Sequence, residues 1–211
     1  MTELKTITAE EIQSMEQRYR AQLINSLGGF KSLNLIGTKS TEGIRNLAIV
    51  NSVVHLGANP ALMGYIQRPT TVQRDTYENI KSTGVYTFNH VREEFVQEAH
   101  HTAARWEQDE FEACGLTPVD DLFDAPFVKE SHIRIGLRFE EEHAISNGTI
   151  MVVGAIEMIQ VPESLIENDG FIDIQSAGSL TVSGLDAYHT ADKLVRLEYA
   201  KPDQKPGKLS V

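Results

Sequence analysis

The chain has 211 residues, of which 41% are hydrophobic, with a formal net charge of −11 at pH 7 and one cysteine. That length and apolar content suit one domain with its own core, with or without a terminal extension. The lone Cys114 excludes an internal disulfide framework and any CxxC metal or redox motif, and the acidic balance argues against nucleic acid, whose binding needs a basic surface.

Thr8 followed by Glu11 reads as a capping box, and Ile12, Met15, Tyr19 and Leu23 continue from it at helical spacing. Gly28-Gly29 stops that helix. So short a segment cannot bury its stripe alone, so residues 1–28 are expected to form a helical extension docked on the rest. Lys31 to Thr38 reads as a strand, Ser40 to Gly43 as a turn, and Ile44 to Val54 as the returning strand of a hairpin. Ala61 to Gln67 follows Asn59-Pro60 as a third strand. Asp75 to Ser82 reads as a short helix ended by Gly84, the residue that most easily adopts a left-handed cap. Val85 to Val91 returns to strand.

Arg92 to Trp106 has helix-forming composition, and a second helix around Asp109-Glu110-Phe111-Glu112 is closed by Gly115 and Pro118. His132 to Phe139 alternates as a half-buried strand should. Asn147-Gly148 predicts a type I′ hairpin turn, with positive φ at both residues, returning through Thr149 to Val161. Phe171 to Ile174 and Leu194 to Tyr199 complete the strands, and residues 203–211 read as a mobile tail. Roughly eight strands, mostly in sequential hairpins, do not alternate regularly with helices. This pattern predicts a mainly β fold, an antiparallel barrel with peripheral helices, rather than a doubly wound sheet.

No run approaches the roughly 20 apolar residues of a membrane helix, and Met1-Thr2-Glu3-Leu4-Lys5 has no signal-like apolar stretch. A cytoplasmic protein with no membrane or nucleic-acid partner is expected. Two Glu-x-x-His spacings occur, Glu98 with His101 and Glu140 with His143, but the facing helices of a di-metal bundle are missing, so no metal site is assigned. His100 and His101 read as surface residues, and Cys114 as a small buried hydrophobe. GxGxxG, GxxxxGK[ST] and GxSxG sequences are absent, leaving a Rossmann unit, a P-loop and a serine-hydrolase elbow unsupported.

Four segments stand in order between Asn46 and Asn89: Asn46-Leu47-Ala48-Ile49-Val50-Asn51-Ser52, Asn59-Pro60-Ala61-Leu62-Met63-Gly64, Asp75-Thr76-Tyr77-Glu78-Asn79-Ile80 and Thr83-Gly84-Val85-Tyr86-Thr87-Phe88-Asn89. Asp109 to Leu116 follows, and Leu180 to Tyr188 and Arg196 to Pro202 lie near the end. Together they resemble the flavin reductase-like family, over roughly Leu33 to Pro202. The chain departs from the family pattern at Ile49-Val50, where Pro-Phe or Pro-Tyr is common, and at Ala61, where a second proline is usual.

The resemblance implies an antiparallel split β-barrel that binds FMN, here residues 29–202, with peripheral α-helices. It implies FMN rather than FAD as cofactor, NADH or NADPH as reductant, a homodimer sharing the flavin between subunits, and a partner oxygenase or other electron acceptor. Arg68, Arg74 and Thr76 are implied to receive the phosphate, with Arg105 reaching it from above. Asn46, Ala48, Asn51 and Ser52 are implied to run past the isoalloxazine ring, and Asn89 to touch ring or ribityl. The flavin carries the chemistry, so no catalytic side chain is expected. The implied function is NAD(P)H-dependent reduction of flavin or a flavin-held acceptor. The alternatives are a non-enzymatic FMN-binding electron carrier and a structural dimer without cofactor. Retention of Asn46, Asn51, Arg68 and Thr76 weakens the last.

Overall fold

The structure, a computed structural model, describes residues 4–209. The outermost ends of the expected extension and tail, 1–3 and 210–211, lie outside the described residues. The capping box forms as expected: Thr8 N–H donates to Glu11 Oε2 (2.6 Å) and Glu11 N–H to Thr8 Oγ1 (3.3 Å). It opens α1 (Ala9–Ser14), but the stripe does not continue as one helix. Glu16 accepts from the N–H groups of Arg18 and Tyr19 and starts α2 (Gln17–Ser26). A carboxylate capping free N–H groups outweighs the weak preference of the break residues for helix. Neither helix fully buries a residue, and Tyr19 and Leu27 remain exposed.

Next come β1 (Lys31–Ser32), β2 (Asn34–Lys39), β3 (Arg45–Val50), β4 (Val53–Ala58) and β5 (Ala61–Gln67). After α3 (Asp75–Thr83) and β6 (Val85–His90) the chain forms α4 (Val96–His101), α5 (Glu110–Cys114), β7 (Pro118–Val119) and β8 (Phe127–Val128). The long strands β9 (Arg134–Ala144) and β10 (Ile150–Gln160) precede the short β11 (Thr181–Ser183) and β12 (Ala187–His189). Seven strands make one antiparallel sheet in the order β3-β2-β6-β9-β10-β5-β4, and β1, β11 and β12 make a second, small sheet. Gly84 and Gly115 end α3 and α5 with φ of 76° and 75°, the left-handed region expected for them.

Several expectations are corrected. The helix read over Arg92 to Trp106 is a 3₁₀ turn followed by the short α4. The hairpin at Asn147-Gly148 is not type I′, because only Gly148 has positive φ. Ile145 N–H donates to Thr149 O, leaving a three-residue loop with its glycine left-handed. Phe171 to Ile174 contributes only the bridge Ile172↔Ile166, and Leu194 to Tyr199 only Leu197↔Lys208. The latter bridge turns residues 196–209 back on themselves where a tail was read. β11 and β12 were not read as strands.

Strand β2 explains the layering. Its residues Asn34 to Thr38 are all buried. Leu35 enters a cluster with Leu47, Phe95, Phe111 and Val128 beneath α4 and α5. Ile36, on the opposite face, joins Tyr65, Ile80, Tyr86, Phe88 and Leu137 inside the barrel. Each such fully buried large side chain contributes about 1.5–3 kcal/mol of transfer free energy.

His90, largely enclosed at the end of β6, has Nδ1 2.9 Å from Ser179 Oγ, and burial lowers its pKa to about 4. The folded chain keeps it neutral while the unfolded chain gains a proton near the ordinary value of about 6.5. Its contribution is intact above about pH 6.5 and is lost as pH falls toward about 4, by about 1–3 kcal/mol. Urea titrations over that window are expected to show this loss in the parent chain and a flatter profile in His90→Asn.

Candidate functional site

β3 and β4 are the two edges of the seven-stranded sheet, yet only Asn51-Ser52 separates them in sequence. The sheet must therefore curl until its edges meet at that corner, closing covalently there and staying split elsewhere. The Ser52 hydroxyl fixes the corner by donating to Ile66 O (3.1 Å) and accepting from Ile66 N–H (3.2 Å), just beyond the pair Val53↔Tyr65. A cavity of about 1000 Å³ runs along β3, bordered by the end of β5, the head of α3, the loop after α4 and the β11–β12 hairpin. That lies at the upper end of the range for small-molecule sites, about 300–1,000 Å³.

Three arginines of the cavity lining have no carboxylate partner among the described residues. Arg68 and Arg105 are exposed in its lining and form no ion pair among the described residues. Arg74 is half-buried, with Nε 3.4 Å from Pro69 O. It is the N-cap residue of α3, and because a guanidinium has no acceptor the first-turn N–H groups receive no side-chain cap and stay available to an anion. Arg45 also lines the cavity, but Asp109 (2.6 Å) and Asp120 (2.8 Å) hold it.

Asn46 sits beside the head of α3, bonded to Thr76. Its amide satisfies both ends when Oδ1 accepts from Thr76 Oγ1 (2.9 Å) and Leu47 N–H (3.2 Å) and Nδ2 donates to Glu110 Oε1 (3.3 Å). Glu110 was not read as a site residue. It is 8% exposed and also accepts from Leu47 N–H at 3.3 Å. Burial lifts its carboxyl to about 7, opposed by its N–H bonds and aided by the nearby Asp75 and Asp109 charges. Its spacing gave a usable signal: Glu110 and Cys114 are i, i+4 on α5, and Cys114 was expected to be buried.

The remaining predicted residues divide. Ala48 lines the cavity with a small, half-buried side chain, and Asn51 Nδ2 donates to Gly184 O (3.2 Å), leaving Oδ1 for another donor. Ser52 lines the cavity, but its one hydrogen is engaged by Ile66 O. Asn89 is corrected outright. It is completely buried, donates to Leu35 O and Thr87 Oγ1, and accepts from Val128 N–H, so it fastens β8 to the barrel. Its position at the end of a family-like motif hid a structural role. The far wall comes from Gln22 of α2 and from Leu185, Asp186 and Tyr188 of the hairpin, with His100 bonded to Tyr188.

Cys114 is buried and free. His101 is exposed and edge-packed on Trp106, while Glu140 and His143 lie on β9, away from α4. Among the described residues no group of three or more His, Cys, Asp or Glu is placed to hold a metal ion, and no helix is long and apolar enough to cross a membrane.

The donor set tests the fit of a flavin nucleotide. Arginines without carboxylate partners and an uncapped helix end suit a phosphate, and the half-apolar cavity with the free Oδ1 of Asn51 suits a flat polar-edged ring. The residues fit. The family model for the flavin reductase-like domain matches residues 30–177, more than half of the chain. A candidate flavin reductase with a split barrel domain, from Shewanella frigidimarina NCIMB 400, is 50% identical. That comparison covers 93% of this chain and 100% of that one, with a TM-score of 0.88. Nitrilotriacetate monooxygenase component B from Bacillus cereus is 21% identical (93% and 100% covered, TM-score 0.79). Flavoredoxin of Desulfovibrio vulgaris (Miyazaki F) is 24% identical (83% and 92% covered, TM-score 0.66). These last two show the shared fold. No curated protein matches the chain. With its antiparallel split barrel and its cavity at the split, the chain belongs to the flavin reductase-like family and is a flavin-related oxidoreductase.

Proposed function

We propose that the chain binds FMN in the cavity at the split and reduces it with NADH or NADPH, for delivery to a separate acceptor. The observation that carries this reading is the composition of the cavity lining: Arg68, Arg74 and Arg105 share one cavity with an uncapped helix terminus, and none has an ion-pair partner among the described residues. Arginine forks and free N–H groups together favour a terminal phosphate. Bound flavin supplies hydride acceptance and electron release. The chain's own residues anchor the phosphate, orient the ring along β3 through Asn51 and the small Ala48, and exclude water with the α4 and hairpin walls.

The Bacillus cereus neighbour is named as a monooxygenase component, which supports an oxygenase as one class of acceptor. The exposed apolar residues Tyr19, Leu27 and Phe30, on α2 and just beyond it, support a homodimer. The test is to reconstitute the purified chain with FMN and follow oxidation of NADH and NADPH. Flavin-dependent oxidation of either is expected. Tight flavin binding with no oxidation of either would contradict a reductase and favour an electron carrier.

A further inference from the structure

This inference rests on the FMN reading and concerns Glu110, which that reading does not use. Ionised, the carboxyl accepts from Leu47 N–H and from Asn46 Nδ2; protonated, it finds an acceptor in Asn46 Oδ1 when the amide is turned over, with Asn46 Nδ2 then donating to Thr76 Oγ1 at 2.9 Å. A short run of hydrogen bonds thus joins a nearly buried acid to the helix end assigned to the phosphate. The charges that act on it are acidic, while Arg68, Arg74 and Arg105 line the same cavity without bonding to it among the described residues. Asp75 stands at the head of α3 and Asp109 caps α5, and Glu98 of α4 acts on Cys114 one turn along α5. Arg45 of β3 is held by Asp109 and Asp120 instead. No lysine or arginine bonds Glu110 among the described residues.

An ionised Glu110 beside an incoming phosphate would place like charges in a weakly screened setting, where repulsion exceeds its value in water. A ligand with the same ring but no phosphate meets no such cost. We propose that Glu110 is a specificity-determining residue that carries a proton whenever the phosphate end is filled, making FMN binding proton-linked and riboflavin binding not. Burial already brings the carboxyl to about 7 in the free chain, so the uptake falls in an accessible range. Phosphate raises that value further in the complex. FMN affinity is then greatest below about pH 7 and falls above it, by up to about tenfold per pH unit for one linked proton. A phosphate monoester loses its own second proton near about pH 6, so the informative window lies above about pH 7.

The experiment is a flavin fluorescence titration of the full chain with FMN and with riboflavin, from about pH 6 to about pH 9. Calorimetry of FMN binding in two buffers of different ionisation enthalpy counts protons directly. The parent chain is expected to show a falling FMN affinity with uptake of up to one proton, and a flat riboflavin affinity. Glu110→Gln, which mimics the protonated acid, is expected to flatten the FMN profile at its high-affinity level. The calorimetry needs no variant, so poor folding of Glu110→Gln leaves the inference testable. Flavin binding with no proton uptake, an equal slope for riboflavin, or an unchanged FMN slope in folded Glu110→Gln would overturn this inference alone. Failure of both flavins to bind at any pH would overturn the flavin reading and this inference with it.

Discussion

Replacing Arg68 and Arg74 together with alanine is expected to weaken FMN binding by about two to three orders of magnitude, with riboflavin affinity held within about threefold. The magnitude follows from the bond type. Each charge-assisted hydrogen bond contributes about 1.5–3 kcal/mol, and about 1.4 kcal/mol is tenfold in affinity. A surface arginine in an ordinary ion pair would contribute only about 0–1 kcal/mol. Arg68 has no ion pair among the described residues, and Arg74 bonds only a carbonyl at the edge of hydrogen-bond range. Their removal should therefore leave the fold intact. Side-by-side titration with the two flavins checks this. Equal losses for both would indicate a ring contact or a folding defect, and no loss for either would return both arginines to the solvated surface.

The largest effect on stability is expected at Gly37 of β2. A Cβ there would overlap the carbonyl oxygen of Pro126 and the hydroxyl of Thr87, which itself donates to Pro126 O at 2.7 Å. Backbone cannot move aside as a flexible side chain can, so Gly37→Ala should cost about 3 kcal/mol through overpacking and loss of that bond. Gly154 of β10 faces the Tyr86 ring and hydroxyl in the same way, and its alanine variant should also be destabilised, by about 1–3 kcal/mol. Denaturant midpoints measure both. A change under about 0.5 kcal/mol at Gly37 would mean that the loop carrying Pro126 is free to shift, as surface substitutions of that size imply.

Local signals in the sequence were readable where one residue type dictates one backbone state. The Thr8–Glu11 capping box and the left-handed caps Gly84 and Gly115 are such places. Long-range pairing was not readable. Ile44 to Val54 looks like one apolar run, and nothing local shows that its two halves belong to opposite edges of the sheet. The corner at Asn51-Ser52 is set by the Ser52–Ile66 bonds, and those are formed by residues fourteen apart in the chain. The short β11 and β12 owe their existence to pairing, β11 with the distant β1 and β12 with β11, rather than to any long β-rich run of their own.

The site was legible in the same uneven way. Eight of the nine residues read from family-like motifs do line one cavity, because those motifs sit on β3, the end of β5, the head of α3 and the loop after α4. Asn89 misled because burial decides an asparagine's role, and burial on β6 depends on β8, which lies far along the chain. Glu110 was overlooked because a glutamate in the first turn of a helix is ordinarily solvated. Only the packing of α5 on β3 brings it to Leu47 and Asn46.

The most direct test of the central claim is a stoichiometric titration of the ligand-free chain with FMN, followed by flavin fluorescence. The cavity at the split predicts saturable quenching that ends at one flavin per chain, competed by riboflavin only at higher concentration. Quenching that never saturates, or an FMN dissociation constant unaffected by the paired arginine substitutions, would contradict a flavin phosphate seated at Arg68, Arg74 and the head of α3.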